Sequence, residues 1–239
     1  MKLKIIYVLV LFSLLAVNSY GQSYSFPVRP GDQAWKEFVN SDDKYLACQI
    51  PDGILESMST KDLVETCLNY PLIGTLFAYN DLQAGFDALR KKFNGIEELM
   101  GRKDSGKELI KLYSNMSPEK YGADWSEERK GDFAFEFSYI ETFLAQRDVL
   151  ATLSLTEKKE LVKLCSEKYT AKQNRVAIFG TLGTSNTAWV IARTMDSQGS
   201  ANENGAESDF AKNTFIEQGL VIDFAVVENI MEKAQSFIK

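Results

Sequence analysis

The hydrophobic positions of this chain recur at spacings of three and four residues, which is the period of an amphipathic helix. One clear stripe runs through Leu82, Phe86 and Leu89, and similar short stripes separated by turn residues fill residues 32–116. Longer stripes follow a polar break and fill residues 126–239. The pattern predicts an all-α protein, built as an irregular stack of helical hairpins with a short-helix half and a longer-helix half.

Polar residues mark where several of these helices begin. Ser59 and Ser126 are each followed by acidic residues in a first helical turn, as N-cap serines are. Ser154 and Glu157 have the spacing of a capping box. Pro71 prevents the helix that follows Ser59 from continuing. We therefore expect helices to start directly after each of the three serines.

Residues 176–185, with the sequence VAIFGTLGTS, form the one stretch where a strand is also plausible. A short strand near 176–180 is weighed against a turn between two helices. The glycines at 180 and 183 are not followed by the Gly-Lys-Ser/Thr of a phosphate loop, which argues against a nucleotide site. Residues 196–208 are small and polar, and they predict a mobile loop.

The N-terminus has the pattern of a secretory signal peptide. Lys2 and Lys4 precede an apolar run over residues 5–17, which is shorter than the roughly 20 residues that a membrane-spanning helix needs. The pattern predicts a signal peptide over residues 1–21. The mature chain, residues 22–239, is then expected to be a single helical domain, secreted or periplasmic, without membrane insertion.

Composition removes several chemistries. The chain contains no histidine, which excludes Ser-His-Asp and Cys-His catalysis and disfavours a zinc or haem site, so no metal and no cofactor are expected. The formal net charge of −6 becomes −8 once the two N-terminal lysines are removed, which argues against nucleic acid as a partner. One basic stretch is interleaved with glutamates and predicts a solvated helix face. Its basic residues are Lys158, Lys159, Lys163, Lys168, Lys172 and Arg175.

Three cysteines, Cys48, Cys67 and Cys165, leave at least one thiol unpaired. Cys67 and Cys165 lie on apolar stripes, which favours buried, unreactive thiols. If a disulfide forms, all three pairings are open, and the pair of Cys48 and Cys67 closes the shortest loop.

One carboxylate breaks the helical pattern. Glu136 falls inside the apolar arc of its helix, between Phe143 and Ile140, which predicts a buried side chain. A general acid in an apolar pocket is one interpretation, and a buried ion pair that links two helices is the favoured one. Asp132 lies nearby, while Glu141 is placed on the polar face. Arg147 is too far along the helix to pair with Glu136, so the candidate partners come from other helices: Arg90, Arg102, Arg175 and Arg193.

Aromatic residues raise the question of a sugar-binding groove, because flat rings stack on sugar faces. Trp35 and Trp189 lie on helical apolar stripes and are expected in the core. Trp125, between Asp124 and Ser126, is the tryptophan most free to be exposed, although a hydrophobic staple at the helix entry is the favoured role.

The stretch from Gln49 to Leu72, QIPDGILESMSTKDLVETCLNYPL, carries a resemblance. With weaker support from Phe93, Asn94, Gly95, Leu99 and Arg102, it resembles a group of uncharacterised exported helical proteins of gut-type Gram-negative bacteria. The resemblance covers about the first half of the mature chain. It implies export and a helical fold, and it carries no site residues.

These observations favour a non-catalytic interaction or scaffold module whose partner is a protein or a glycan. The alternative is a small, muramidase-like glycan-cleaving enzyme that uses Glu136 as its general acid. That alternative requires Glu136 to open into a cleft with a second carboxylate roughly 5 to 10 Å away.

Overall fold

A computed structural model of the chain describes residues 23–122, 124–199 and 206–239, with side chains in the last range from 210 onward. Every regular element in these ranges is a helix, which confirms the predicted all-α class. The predicted signal peptide lies outside the described residues.

The helices of the first half are short, at 5 to 11 residues. They are α1 (Gln33–Glu37), α2 (Ser41–Ala47), α3 (Asp52–Ser57), α4 (Thr60–Leu68), a 3₁₀ helix (Ile73–Ala78), α5 (Leu82–Lys92), α6 (Asn94–Gly101) and α7 (Ser105–Asn115).

The second half contains the longest helices, with 18, 19 and 21 residues in α8, α10 and α11. Its members are α8 (Glu127–Leu144), α9 (Arg147–Ala151), α10 (Leu155–Gln173), α11 (Val176–Asp196), α12 (Ala206–Gln218) and α13 (Phe224–Ile238).

The three serine caps form as the sequence predicts. Ser59 Oγ and Ser126 Oγ each accept a hydrogen bond of 3.2 Å from the amide three residues later. At Ser154 the capping box is complete, because Ser154 Oγ accepts from the Glu157 amide at 3.3 Å and the Glu157 carboxylate accepts from the Ser154 amide at 2.8 Å. These contacts satisfy amide groups that a helix start otherwise leaves unpaired.

The alternative of a strand near 176–180 is wrong. Helix α11 begins at Val176, and the amides of Ile178 and Phe179 both donate to the carbonyl of Arg175. Gly180 has φ 58° and ψ −169°, a conformation that L side chains rarely adopt. It therefore breaks the helix after its first turn, which is why the pattern also suggested a turn here.

The predicted loop over residues 196–208 is too long at both ends, and its residues 200–205 lie outside the described residues. Helix α11 continues to Asp196, a turn follows over residues 197–199, and α12 begins at Ala206. Alanine and glutamate, both good helix formers, start α12, although they lie among polar residues that the pattern assigned to the loop.

Helices α8 and α11 hold the fold together. Helix α11 packs against α8, α10, α12 and α13, while α8 also contacts α4, α5 and α7 of the first half. Buried side chains from both halves form one continuous hydrophobic core. Its largest fully buried members include Trp189, Tyr70, Tyr113, Phe86, Phe93, Phe137 and Phe143.

The motif at residues 49–51 locks α6 to the chain before α3. The Asn94 side chain donates to the Ile50 carbonyl at 2.7 Å and accepts from the Ile50 amide at 3.0 Å. In return, Gln49 Oε1 accepts from the Asn94 amide at 3.0 Å, and Gln49 Nε2 donates to the Lys92 carbonyl at 2.8 Å. The side chains of Gln49 and Asn94 therefore supply the hydrogen bonds that join these two backbone segments.

Arg102 completes the same arrangement. Its guanidinium donates to the carbonyls of Met58 at 3.1 Å and Leu55 at 3.3 Å, at the end of α3, and pairs with Glu98 at 2.6 Å. Unpaired carbonyls at a helix end are costly when they are enclosed. The contacts of Gln49, Asn94 and Arg102 thus fasten neighbouring segments of the fold together.

The three cysteines are unpaired and buried, as the apolar stripes predicted for Cys67 and Cys165. Burial raises the pKa of the Cys67 and Cys165 thiols well above the usual range, and it also raises that of Cys48 against the opposing charge of Arg29. None of the three has the lowered pKa of a reactive thiol.

Candidate functional site

A concavity of about 450 Å³ opens between the end of α4, α7 and the first half of α8. We call it the aromatic groove. Its lining residues are Leu68, Asn69, Leu112, Met116, Arg129, Asp132, Phe135, Glu136 and Tyr139. The volume lies within the range of about 300 to 1,000 Å³ that is typical of ligand sites.

One face of α8 supplies the floor of the groove. Asp132, Phe135, Glu136 and Tyr139 stand at positions i, i+3, i+4 and i+7, so they share a single face of the helix. The residues of the opposite face, among them Phe133 and Phe137, are buried in the core. Helix α8 therefore carries aromatic rings both inward and outward.

The outward rings form a shelf. The rings of Phe135 and Tyr139 have centroids 6.1 Å apart and planes 21° apart. Phe77, from the 3₁₀ helix, supports both, at 5.2 Å from Phe135 and 5.6 Å from Tyr139. Phe135 remains 42% exposed. A monomeric protein gains little from an exposed aromatic ring, which makes this shelf a candidate contact surface.

The hydroxyl group of Tyr139 stays protonated up to a higher pH than that of an ordinary tyrosine. Burial of the ring, with the negative charge of Asp132, raises the pKa of Tyr139. A protonated phenol both donates and accepts hydrogen bonds. The edge of the shelf therefore offers a neutral polar group beside the charged ones.

Glu136 lies in the groove, but it is not buried as the sequence predicted. Its side chain is 49% exposed, and its Oε1 lies 3.1 Å from Nη1 of Arg129, which belongs to the same helix. The Arg129 guanidinium also lies over the Trp125 ring, 4.9 Å from the centroid. The prediction failed because none of the described helices covers Glu136, which the wheel alone cannot show.

The four arginines proposed as partners of Glu136 are engaged elsewhere. Arg193 donates to backbone carbonyls, while the other three pair with different carboxylates. These pairs are Arg90 with Glu97 and Asp148, Arg102 with Glu98, and Arg175 with Glu119.

Trp125 is packed rather than free. Its ring meets Phe133 edge-on at 5.4 Å and lies against Gly122, where a Cβ atom would come within 2.3 Å of the indole nitrogen. This agrees with a structural role at the entry to α8. Trp189 is fully buried as expected, and Trp35 is only partly buried.

The buried carboxylate of α8 is Glu141, which sequence analysis placed on the polar face. Glu141 and Lys172 of α10 both have fully buried side chains, and Lys172 Nζ lies 2.6 and 2.8 Å from the two carboxylate oxygens. Tyr113 Oη donates to Glu141 at 2.5 Å, and Thr187 Oγ1 lies at 2.8 Å. This is the buried ion pair between helices that had been predicted for Glu136.

Aromatic rings enclose the pair. The Lys172 ammonium lies 4.9 Å from the Phe137 centroid and 5.3 Å from that of Phe179. Burial lowers the pKa of Lys172, and the adjacent Glu141 acts against that shift. Because neither charged group reaches solvent, the pair joins α7, α8, α10 and α11 rather than meeting a ligand.

The predicted solvated face of α10 is also only partly correct. Lys158, Lys168 and Lys172 are buried, at 6%, 6% and 0% exposure. Lys172 follows the buried Cys165 by seven residues, so the heptad spacing already placed it on the inward stripe. That spacing is the signal that could have identified the buried pair, but the charge pattern hid it.

A second cleft, of about 260 Å³, lies where α5, α9, α11 and α12 meet, and Arg90, Arg147 and Arg193 line it. Arg147 pairs with Asp196 and Glu217, and Arg193 donates to four acceptors that include the Ile216 carbonyl at 2.7 Å. Because every guanidinium here already has partners, the cleft fastens α12 to the core.

No family model, curated protein or solved structure matches this chain. Within the described ranges, no cluster of histidine, cysteine, aspartate or glutamate side chains has the arrangement of a metal site. No described helix is both long and apolar enough to cross a membrane.

Proposed function

We propose that this protein is an exported, non-catalytic binding module that takes its ligand in the aromatic groove. The observation that carries the proposal is the shelf of Phe135, which is 42% exposed, and the partly buried Tyr139, beside the charged residues of the same helix face. Export is proposed from the basic and apolar N-terminal pattern, which places the module in the periplasm or outside the cell.

The charged groups of the groove are better suited to binding a ligand than to acid catalysis. Glu136 is half exposed and ion-paired with Arg129, whereas a general acid needs an apolar enclosure. The carboxylate that has such an enclosure, Glu141, is fully buried against Lys172. The residues of the groove are thus suited to hold a ligand, and the enclosed pair is suited to hold the fold.

The alternative function, glycan cleavage by Glu136, has one observation in its favour. Asp132 lies one helical turn away on the same face, and this spacing puts the two Cβ atoms about 5 to 6 Å apart. A glycoside hydrolase uses two carboxyl groups about 5 to 10 Å apart, and two side chains whose Cβ atoms are this close can hold their carboxyl groups at such a separation.

A ligand panel separates the two functions. Purified protein is incubated with a peptide library and a glycan array, beside the variant Phe135→Ala/Tyr139→Ala and the control Phe224→Ala, which removes an exposed phenylalanine from α13. We expect a stable complex with an unaltered ligand, lost in the groove variant and retained in the control. The proposal is wrong if no ligand binds, if binding ignores the groove variant, or if a ligand is cleaved without a stable complex.

A further inference from the structure

We infer that the ligand of the aromatic groove is an uncharged saccharide. This inference rests on the proposed binding function and specifies its ligand class.

The ring geometry of the shelf favours a flat ligand face. The planes of Phe135 and Tyr139 are 21° apart, and Phe77, which supports them from the 3₁₀ helix, is tilted by 31° to Tyr139 and by 46° to Phe135. A cation cage needs rings that stand as walls around the charge. A shelf suits the C–H face of a pyranose, whose weakly positive hydrogens meet the negative face of an aromatic ring.

The polar residues of the groove match the edge of a sugar. A hydroxyl group donates and accepts at the same time, so it needs both kinds of partner close together. Asp132 and Glu136 supply acceptor oxygens, Arg129 supplies donors, and the Tyr139 hydroxyl supplies either. All four project from the helix that carries Phe135. The groove therefore presents stacking and hydrogen bonding on one side of the ligand.

The charge of the groove disfavours an acidic saccharide. The groove contains two carboxylates, Asp132 and Glu136, against one cation, Arg129. Arg129 already contacts Glu136 and the Trp125 ring. A sulfated or uronic-acid sugar would have to approach this excess of negative charge, which favours a neutral ligand.

The test uses an array of uncharged linear oligosaccharides of hexose and N-acetylhexosamine units, followed by calorimetric titration of any that bind. Four proteins are compared: wild type, Phe135→Ala, Phe135→Leu and the control Phe224→Ala. Leucine retains much of the apolar area of Phe135 but removes its flat ring. Circular dichroism checks that each variant is folded, which is expected because Phe135 and Phe224 lie at the surface, at 42% and 57% exposure.

We expect at least one neutral oligosaccharide to bind, and both Phe135 variants to weaken it by about tenfold or more. Retention of affinity in Phe135→Leu would overturn the saccharide inference, since apolar contact without stacking would then suffice. Peptide binding in the groove with no saccharide bound would overturn the inference and leave the proposed function intact. Cleavage of a bound saccharide would instead overturn the non-catalytic function and support the ligand class.

Discussion

Lys172 Nζ lies 2.6 and 2.8 Å from the two carboxylate oxygens of Glu141, and neither side chain has any exposed surface. Tyr113, Thr187 and the Gly183 carbonyl supply the remaining hydrogen bonds. Desolvated charges persist in a protein core only when they are paired and hydrogen-bonded. The pair therefore sets how four helices meet, and its loss should be felt by the whole fold.

Replacing one member of this pair should destabilise the protein strongly. We expect Glu141→Gln to lower the free energy of unfolding by about 3 to 5 kcal/mol, because Lys172 is left as a buried charge without its counter-charge. For a chain of this size the thermal midpoint should fall by about 6 to 20 °C. Urea titrations measure the free energy of unfolding of each variant. The double variant Glu141→Leu/Lys172→Met should be more stable than Glu141→Gln, because it leaves no buried charge unpaired. A Glu141→Gln protein as stable as wild type would contradict the role of the pair.

Glu136→Gln should behave differently, although it makes the same chemical change on the same helix. The Arg129–Glu136 pair is half exposed on both sides, and exposed pairs contribute about 0 to 1 kcal/mol. We therefore expect urea unfolding to shift by no more than that amount. A loss similar to that of Glu141→Gln would show that Glu136 is the enclosed carboxylate after all.

Asn94→Ala tests the lock between α6 and the residues before α3. The substitution removes one bond to the Ile50 amide and one to the Ile50 carbonyl, at 3.0 and 2.7 Å. At about 1 kcal/mol for each, we expect a loss of about 2 kcal/mol in the free energy of unfolding. Asn115→Ala, an exposed asparagine at the end of α7, is the matched control and should change stability by less than about 0.5 kcal/mol. Equal effects of the two substitutions would argue against the lock.

The hydroxyl group of Tyr70 is expected to destabilise the folded protein. Its hydroxyl is buried and has no hydrogen-bond partner among the described residues, so Tyr70→Phe should stabilise the protein by about 1 kcal/mol at neutral pH. Burial, with smaller effects of Cys48 and Tyr45, raises the pKa of Tyr70 in the folded state. The unfolded chain therefore loses this proton first, and wild-type stability falls as pH rises above about 10.

The Phe variant lacks this loss, so its advantage over wild type should grow between about pH 8 and pH 11. Urea titrations of both proteins at the two pH values measure the difference. An advantage that shrinks at the higher pH would contradict the proposed origin of the effect.

The sequence predicted local features well because their causes are local. The serine at position 154 caps a helix whatever packs on it, and the stripe that contains Leu82 and Phe86 fixes the buried face of α5. The environment of Glu136 and Glu141 was assigned the wrong way round, because burial on α8 depends on which faces α10 and α11 cover. A helical wheel shows the direction in which each side chain points, but it does not show which other helices pack against that side chain.

The aromatic groove shows the same limit. Asp132, Phe135, Glu136 and Tyr139 share a face by spacing alone, and the sequence made that visible. Their exposure depends on α4 and α7, which stop short of covering this face, and no short-range pattern encodes that distance. The function of Glu136 was therefore argued for a buried environment that this residue does not have.

Chemical-shift mapping of isotope-labelled protein shows directly whether the aromatic groove is the ligand site. The protein is titrated with a mixture of the uncharged oligosaccharides, and backbone and aromatic signals are followed. We expect the largest chemical-shift changes at Asp132, Phe135 and Tyr139. Little change is expected at Glu141 or at the cleft lined by Arg147. Changes centred on that cleft, or no changes at all, would contradict the assignment of the aromatic groove as the ligand site.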